Sequence, residues 1–159
     1  MPHIHELYDF TVSFYILSPN KNKVCLHYHK KLETWNQLGG HIELDQDPEE
    51  ALVMELREEA GLHPNDYTIV ETLKGPELPQ NKQLTAPFSI IMWNYGDSDH
   101  KHIDLPYIIH SHTNELQPEE GESAQIDWFS REQVKEMYQK GDIQEPTYII
   151  FEWIFENYC

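Results

Sequence analysis

The chain has 159 residues, of which 39% are hydrophobic and 12% aromatic, enough apolar material to bury the core of one domain and too much for a disordered chain. Its 28 Asp+Glu against 11 Lys+Arg leave a formal charge of −17, which repels phosphate backbones and anionic lipid and argues against general binding to nucleic acid or membrane surfaces. The first ten residues carry no basic stretch followed by an apolar run, no window reaches the roughly 18 apolar residues of a membrane span, and Cys25 and Cys159 suit a reducing compartment better than a disulfide framework; a cytoplasmic protein is expected.

Residues 10–17 alternate, with Phe10, Val12, Phe14 and Ile16 on one face and Thr11, Ser13, Tyr15 and Leu17 on the other, which predicts a strand buried on at least one side. Turn residues follow in Ser18-Pro19-Asn20-Lys21-Asn22, and residues 24–28 return as the second strand of an antiparallel hairpin. Gly39-Gly40 breaks the pattern before the strongest helix of the chain, in which Asp47 caps, Pro48 takes the first turn, Glu50 completes a capping box and Gly61 stops the run. Three more strands are predicted at 67–73, 86–95 and 103–111, separated by loops at 75–83 and 96–101. A short strand at 125–129 precedes a helix capped by Ser130 with Gln133 and ended by Gly141, and a last helix spans 147–158. No repeat or long linker divides this order, so the expected fold is one α/β domain over residues 1–159 with a mixed β-sheet sandwiched between helices.

Residues 39–62 read GGHIELDQDPEEALVMELREEAGL. Eight carboxylates (Glu43, Asp45, Asp47, Glu49, Glu50, Glu55, Glu58 and Glu59) and one base, Arg57, give residues 43–59 a net charge of −7. On a helical projection Leu52, Val53, Leu56 and Ala60 form the buried stripe, and Glu55, Glu58 and Glu59 form a second stripe beside it. Like charges at this spacing destabilise a bare helix by a few tenths of a kcal/mol per pair unless a cation binds them. Oxygen ligands of this kind suit Mg²⁺ or Mn²⁺, which bridge carboxylates to substrate phosphates.

With its flanking residues this segment resembles the signature of the Nudix (MutT-like) hydrolase family: Gly, five residues, Glu, seven residues, then Arg-Glu-hydrophobic-x-Glu-Glu-x-Gly-hydrophobic. Aligned on its end, the box covers residues 40–62, opens on Gly40, and is matched by Glu55, Leu56, Glu58, Glu59, Gly61 and Leu62; Gly39 and Glu43 are also similar to the family. Two positions depart from the pattern, Gln46 in place of Glu and Met54 in place of Arg. Losing both ends of a charge pair leaves no charge unpartnered, so the fold is expected to survive and turnover to be affected.

The resemblance implies a Nudix fold and Mg²⁺- or Mn²⁺-dependent hydrolysis of a nucleoside diphosphate linked to another group X, such as a nucleoside triphosphate, a nucleotide sugar or ADP-ribose. It implies Glu55 and Glu59 as principal metal ligands with Glu58 beside them, a further carboxylate from the acidic run Glu119, Glu120 and Glu122, with Glu122 the first choice, and possible assembly as a homodimer. The alternative it leaves open is a degenerate Nudix domain that binds a nucleotide or metabolite without efficient hydrolysis. Lys30 and Lys31, the adjacent bases just before Trp35 and the Gly39-Gly40 pair, are candidate phosphate contacts. Trp35, Phe88, Trp93 and Tyr107 are candidates to stack a base, with core packing as the alternative. The His-x-His pairs His3/His5, His27/His29, His100/His102 and His110/His112 each point to one face of a strand, but no sequence pattern completes a tetrahedral set, so a dedicated zinc site is not expected.

Overall fold

The computed structural model describes residues 7–94 and 99–159; His3, His5 and Tyr95 lie outside them, as does part of the expected loop 96–101. The alternating run forms β1 (Tyr8–Leu17), which is followed by β2 (Lys23–His29), β3 (Thr34–Asn36), β4 (Leu38–His41), α1 (Pro48–Ala60), β5 (Tyr67–Ile69), β6 (Ile91–Asn94), β7 (Lys101–Ser111), β8 (Ile126–Ser130), α2 (Arg131–Gln139) and α3 (Glu145–Tyr158). The described strands form one mixed sheet built around β1. β1 pairs in parallel with β7 from Tyr8↔Lys101 to Leu17↔His110. Its middle, from Thr11 to Phe14, also pairs antiparallel with β4, and its end meets β2 at Leu17↔Val24.

Both faces of β1 are covered, as the alternation requires when neither set is polar throughout. Val12, Phe14 and Ile16 pack with Ala51, Leu52, Leu56 and Ala60 of α1. Tyr15 and Leu17 pack on the other face with Val24, Leu26, Ile108, Val134 of α2, and Phe151, Ile154 and Phe155 of α3. The sheet is therefore sandwiched between α1 and the α2–α3 pair, the α/β arrangement that the order of elements predicts. Among the described residues no helix is long and apolar enough to cross a membrane.

Several local expectations are corrected. Gly39 and Gly40 do not end the strand pattern but form part of β4, paired to Ser13 and Val12. Val53 is 37% exposed, and Ala51 takes its place in the buried stripe of α1. The Asp47 carboxylate accepts the Glu50 N–H at 2.9 Å, while Glu50 Oε1 faces Lys82 Nζ at 3.8 Å. The strands expected at 67–73 and 86–95 shrink to Tyr67–Ile69 and Ile91–Asn94. Both lie along β7, β5 against 109–111 and β6 against 101–104, and Pro106 sits between the two stretches. Pro106 O accepts the Phe88 N–H on that edge, so the N–H that proline lacks is missing from the same edge. The ladder is interrupted there.

The core makes the fold sensitive to alkali. Burial holds the Cys25 thiol well above its ordinary 9.0, with Asp127 and Glu59 adding to it, and burial with Asp104 raises the Tyr15 phenol far above 10.0. Both groups keep their protons in the folded protein at a pH where the unfolded chain releases them, so their contribution is complete below about pH 9 and is lost as pH rises. The melting temperature is expected to fall between about pH 9 and pH 11, and Cys25→Val to lessen the fall; a flat profile over that range contradicts this account.

Candidate active site

α1 begins where Asp47 caps it and Pro48 occupies its first turn, and it ends at Gly61 with φ 70°, whose N–H returns to Arg57 O while the Leu62 N–H returns to Leu56 O. These two stops place Glu55, Glu58 and Glu59 on the last two turns. Gly61 also lies against Gln117 of the acidic loop: a side chain there would collide with the Gln117 carbonyl. The loop is docked on the end of the helix by the Gln117 N–H to Ala60 O at 2.9 Å and the Glu119 N–H to Glu58 O at 2.8 Å. The second acidic segment, five carboxylates without Lys or Arg across residues 115–127, is thereby brought to the first.

Glu59 is 5% exposed. Its Oε1 accepts the Gly39 N–H at 3.2 Å, and its Oε2 lies 3.3 Å from His27 Nδ1. The Gly39-Gly40 pair has a separate reason at each position. A Cβ on Gly39 would run into the Val12 carbonyl and the Ser13 Cα of β1, and a Cβ on Gly40 would occupy the place of the Glu55 carboxylate. β4 can thus lie flat on β1 while Glu55 reaches across it.

The electrostatics of this cluster are those of uncompensated negative charge. Burial raises the Glu59 carboxyl above its ordinary range, and the Glu55 and Glu122 charges raise it further against the Gly39 N–H, which lowers it. Burial also raises Glu55, with Glu58, Glu122 and Glu43 adding to the effect and a hydrogen bond with Glu59 opposing it. His27 supplies no counter-charge, because burial and His29 lower it to about 4 and it is neutral at physiological pH. Convergent carboxylate oxygens without a cation among them are a donor set that suits a hard divalent metal ion.

Glu55, Glu59 and Glu122 line one cavity of about 810 Å³ together with Gly39, Gly40, Lys30 and Lys31, a volume in the range of small-molecule sites. Glu58 does not line it; its carboxylate lies 3.6 Å from Arg57 Nη2, and Arg57 Nε reaches Glu119 at 3.3 Å. Lys30 and Lys31 are exposed at its edge. Of the four aromatic candidates, Trp35 and Trp93 separate from the rest: Tyr107 is core, and Phe88 packs on Tyr15 and Trp153. Trp35 is held edge-on between Tyr28 and Phe129, and only Trp93 of the four lines the cavity.

Sequence reasoning missed Asp104, which is 1% exposed and lines the same cavity. It accepts hydrogen bonds from Thr11 Oγ1 at 2.8 Å, Ser13 Oγ at 2.6 Å and Trp93 Nε1 at 3.1 Å. Burial raises its carboxyl despite those three donors. The signal was present as polar residues on one face of two strands, Thr11 and Ser13 in β1 and His102 and Asp104 in β7, but only the pairing Thr11↔Asp104 joins them. Tyr28 and Asn36 also line the cavity and carried no motif, and His27, which lines it too, was legible only as half of the pair His27/His29.

The two departures from the signature meet each other. Gln46 Nε2 donates to Met54 Sδ at 3.3 Å, and Gln46 Oε1 accepts the Glu43 N–H at 3.1 Å. A neutral contact thus occupies the place of a charged pair and still ties the loop to α1.

The comparisons with known proteins bear on the family and the fold. No curated protein sequence matches the chain. A crystal structure of a NUDIX-family hydrolase from Clostridium perfringens is similar with 34% identity and TM-score 0.78, over 93% of this chain and 96% of that one. The NUDIX domain of Shewanella oneidensis NrtR, solved with ADP ribose, shares the fold at 15% identity and TM-score 0.68, over 98% of this chain and 91% of that one. The dihydroneopterin triphosphate pyrophosphohydrolase of E. coli shares it at 10% identity and TM-score 0.66, over 96% and 99%. The family model for the NUDIX domain matches residues 8–153, which takes in β1, the glutamate helix and the loop that brings Glu122 to it, and on that match this chain belongs to the Nudix family.

Proposed function

We propose that this Nudix hydrolase cleaves the pyrophosphate linkage of a nucleoside diphosphate bonded to another group X, with Mg²⁺ or Mn²⁺ held by Glu55 and Glu59 and with Glu58 and Glu122 beside them. The observation that carries the reading is the convergence of Glu55, Glu59 and Glu122 on one cavity that also has two lysines at its edge. Similar folds include proteins solved with ADP ribose or described as a triphosphate pyrophosphohydrolase and an Ap4A hydrolase; a phosphoanhydride is common to those compounds, and that class of substrate is what we carry over. The bound cation supplies neutralisation of phosphate charge and a lowered pKa for a coordinated water.

The chain's own groups do the rest. Gly39 N–H and His27 fix the direction of the Glu59 carboxylate, and Gly40 leaves the space that Glu55 fills. Glu122, exposed on its loop, is the group we assign to take the proton from the attacking water. Lys30 and Lys31 contact the outer phosphate, and Trp93, fixed through its N–H to Asp104, offers a rigid wall to the nucleoside. Positioning and charge stabilisation of this kind are most of what phosphoryl-group chemistry requires. The test is incubation with a nucleotide panel and Mg²⁺ or Mn²⁺ followed by ³¹P NMR; no new phosphorus species from any compound overturns the assignment.

One observation favours a second reading, a domain that binds its nucleotide without efficient hydrolysis. The Gln46–Met54 contact replaces two charged groups by a weak neutral donor–acceptor pair. Restoring the pattern with Gln46→Glu and Met54→Arg together is expected to raise kcat by about tenfold if the enzyme reading holds. Tight nucleotide binding with no turnover in either protein favours the binding module.

A further inference from the structure

We propose that Asp9, His41, His100 and His102 form a second metal site, with the chemistry of a structural Zn²⁺ centre and separate from the glutamate cluster. None of the four is adjacent in a sequence pattern beyond the pair His100/His102, and strand pairing is what assembles them. Asp9 in β1 stands opposite His102 in β7, and His41 in β4 stands opposite Thr11, two residues on from Asp9 and so on the same face of β1. His100 enters from the segment that precedes β7. Three strands and one connecting segment thus direct donors to one point.

The distances are those of a ligand set. Asp9 Oδ2 lies 3.1 Å from His100 Nε2 and 3.4 Å from His41 Nε2. Zn–N and Zn–O bonds of about 2.0 Å at tetrahedral angles put neighbouring donors about 3.3 Å apart, so these two separations already fit. One donor atom from each of Asp9, His100 and His102 lies within 4.8 Å of the others, which a side-chain rotation brings into range. The His102 ring meets His41 at 4.9 Å and 77° and His100 at 5.2 Å and 86°; the rings meet edge-on, not stacked. Asp9 is 3% exposed, so the carboxylate at the hub is screened from water.

The donor types separate this site from the first. Three imidazoles and one carboxylate suit Zn²⁺, whereas the all-carboxylate cluster suits Mg²⁺ or Mn²⁺. Asp9, His100 and His102 supply three ligands, and His41, 3.4 Å from the Asp9 carboxylate, is the residue we assign to the fourth position, which would close a tetrahedral shell in the pattern of a structural site. Zn²⁺ here would fasten β4 and β7 to the two edges of β1, directly beside Gly39 and Gly40. Since His41 and His102 also line the cavity, the metal stiffens the wall against which the substrate rests.

The proposal stands apart from the hydrolase reading, and its test removes that site first. The full-length variant Glu55→Gln with Glu59→Gln, stripped by chelator, is titrated with Zn²⁺ and read by calorimetry and by metal content after dialysis. One Zn²⁺ per chain with a dissociation constant below about 1 μM is expected. Asp9→Asn and His102→Asn, each made in that background and checked by circular dichroism, weaken it by about 100-fold or more. Co²⁺ in the parent variant gives an intense tetrahedral visible spectrum. Absence of tight Zn²⁺ binding in the parent variant, a weak octahedral Co²⁺ spectrum, or affinity unchanged by both ligand substitutions overturns the proposal. Should either ligand variant fail to fold, the Co²⁺ spectrum and stoichiometry of the parent decide it.

Discussion

Glu59→Gln is expected to lower turnover of the best nucleotide substrate by about three orders of magnitude, the scale on which a charge-stabilising group is lost from phosphoryl chemistry, and to do so without unfolding the protein. Gln has the shape of Glu and keeps a side-chain oxygen to accept the Gly39 N–H, so β4 loses no anchor. What disappears is one of the mutually repelling carboxylates whose burial and neighbours disfavour the charged form. In the absence of metal the variant should melt at the same temperature as the parent or a few degrees higher, since less negative charge is held out of water. Steady-state rates with Mg²⁺ and calorimetry with chelator separate the two effects. A variant that keeps full activity removes Glu59 from the metal-binding role; one that unfolds shows the residue to be structural.

The adjacent glycines should respond oppositely to the same small change. In Gly39→Ala the new methyl meets backbone, the Val12 carbonyl and the Ser13 Cα, and two paired strands cannot separate by the required distance without losing their ladder. The cost is about 2–3 kcal/mol, or a melting temperature lower by about 5–10 °C for a chain of this size. In Gly40→Ala the methyl meets the end of the Glu55 side chain, which can swing aside. The fold should hold while the displaced carboxylate costs about 100-fold in turnover. Equal stability losses at both positions, or an unaffected rate in Gly40→Ala, contradict this division of roles.

These two positions also show how far the sequence could be read. The pair Gly39-Gly40 was recognisable beside the glutamate helix, yet its local reading as a strand breaker was incorrect. A strand of four residues with two glycines has no periodicity to detect, and the reason for the glycines lies in Val12, Ser13 and Glu55. The Gln46 and Met54 departures were legible as substitutions in a motif; that they touch each other was not. The helix itself was legible because everything that defines it is within a turn or two: the Asp47 cap, Pro48, the Gly61 stop and the carboxylates at i, i+3 and i+4.

The charge of −17 belongs to the same comparison. The sequence alone determined that the carboxylates fall into two runs, that one run lies on a helix, and that β1 alternates, because each is a matter of neighbours along the chain. Only the tertiary structure decided that Glu59 is buried and Val53 exposed, that Glu122 faces Glu55 and Glu59, and that Asp104 is held by Thr11 and Ser13 more than 90 residues away, at separations of 93 and 91. It also decided that Asp9, His100 and His102 converge, with His41 beside Asp9. The last two outcomes depend on the register of β1 against β4 and β7, and a shift of one residue would turn Asp9, Thr11 and Ser13 away from His41, His102 and Asp104.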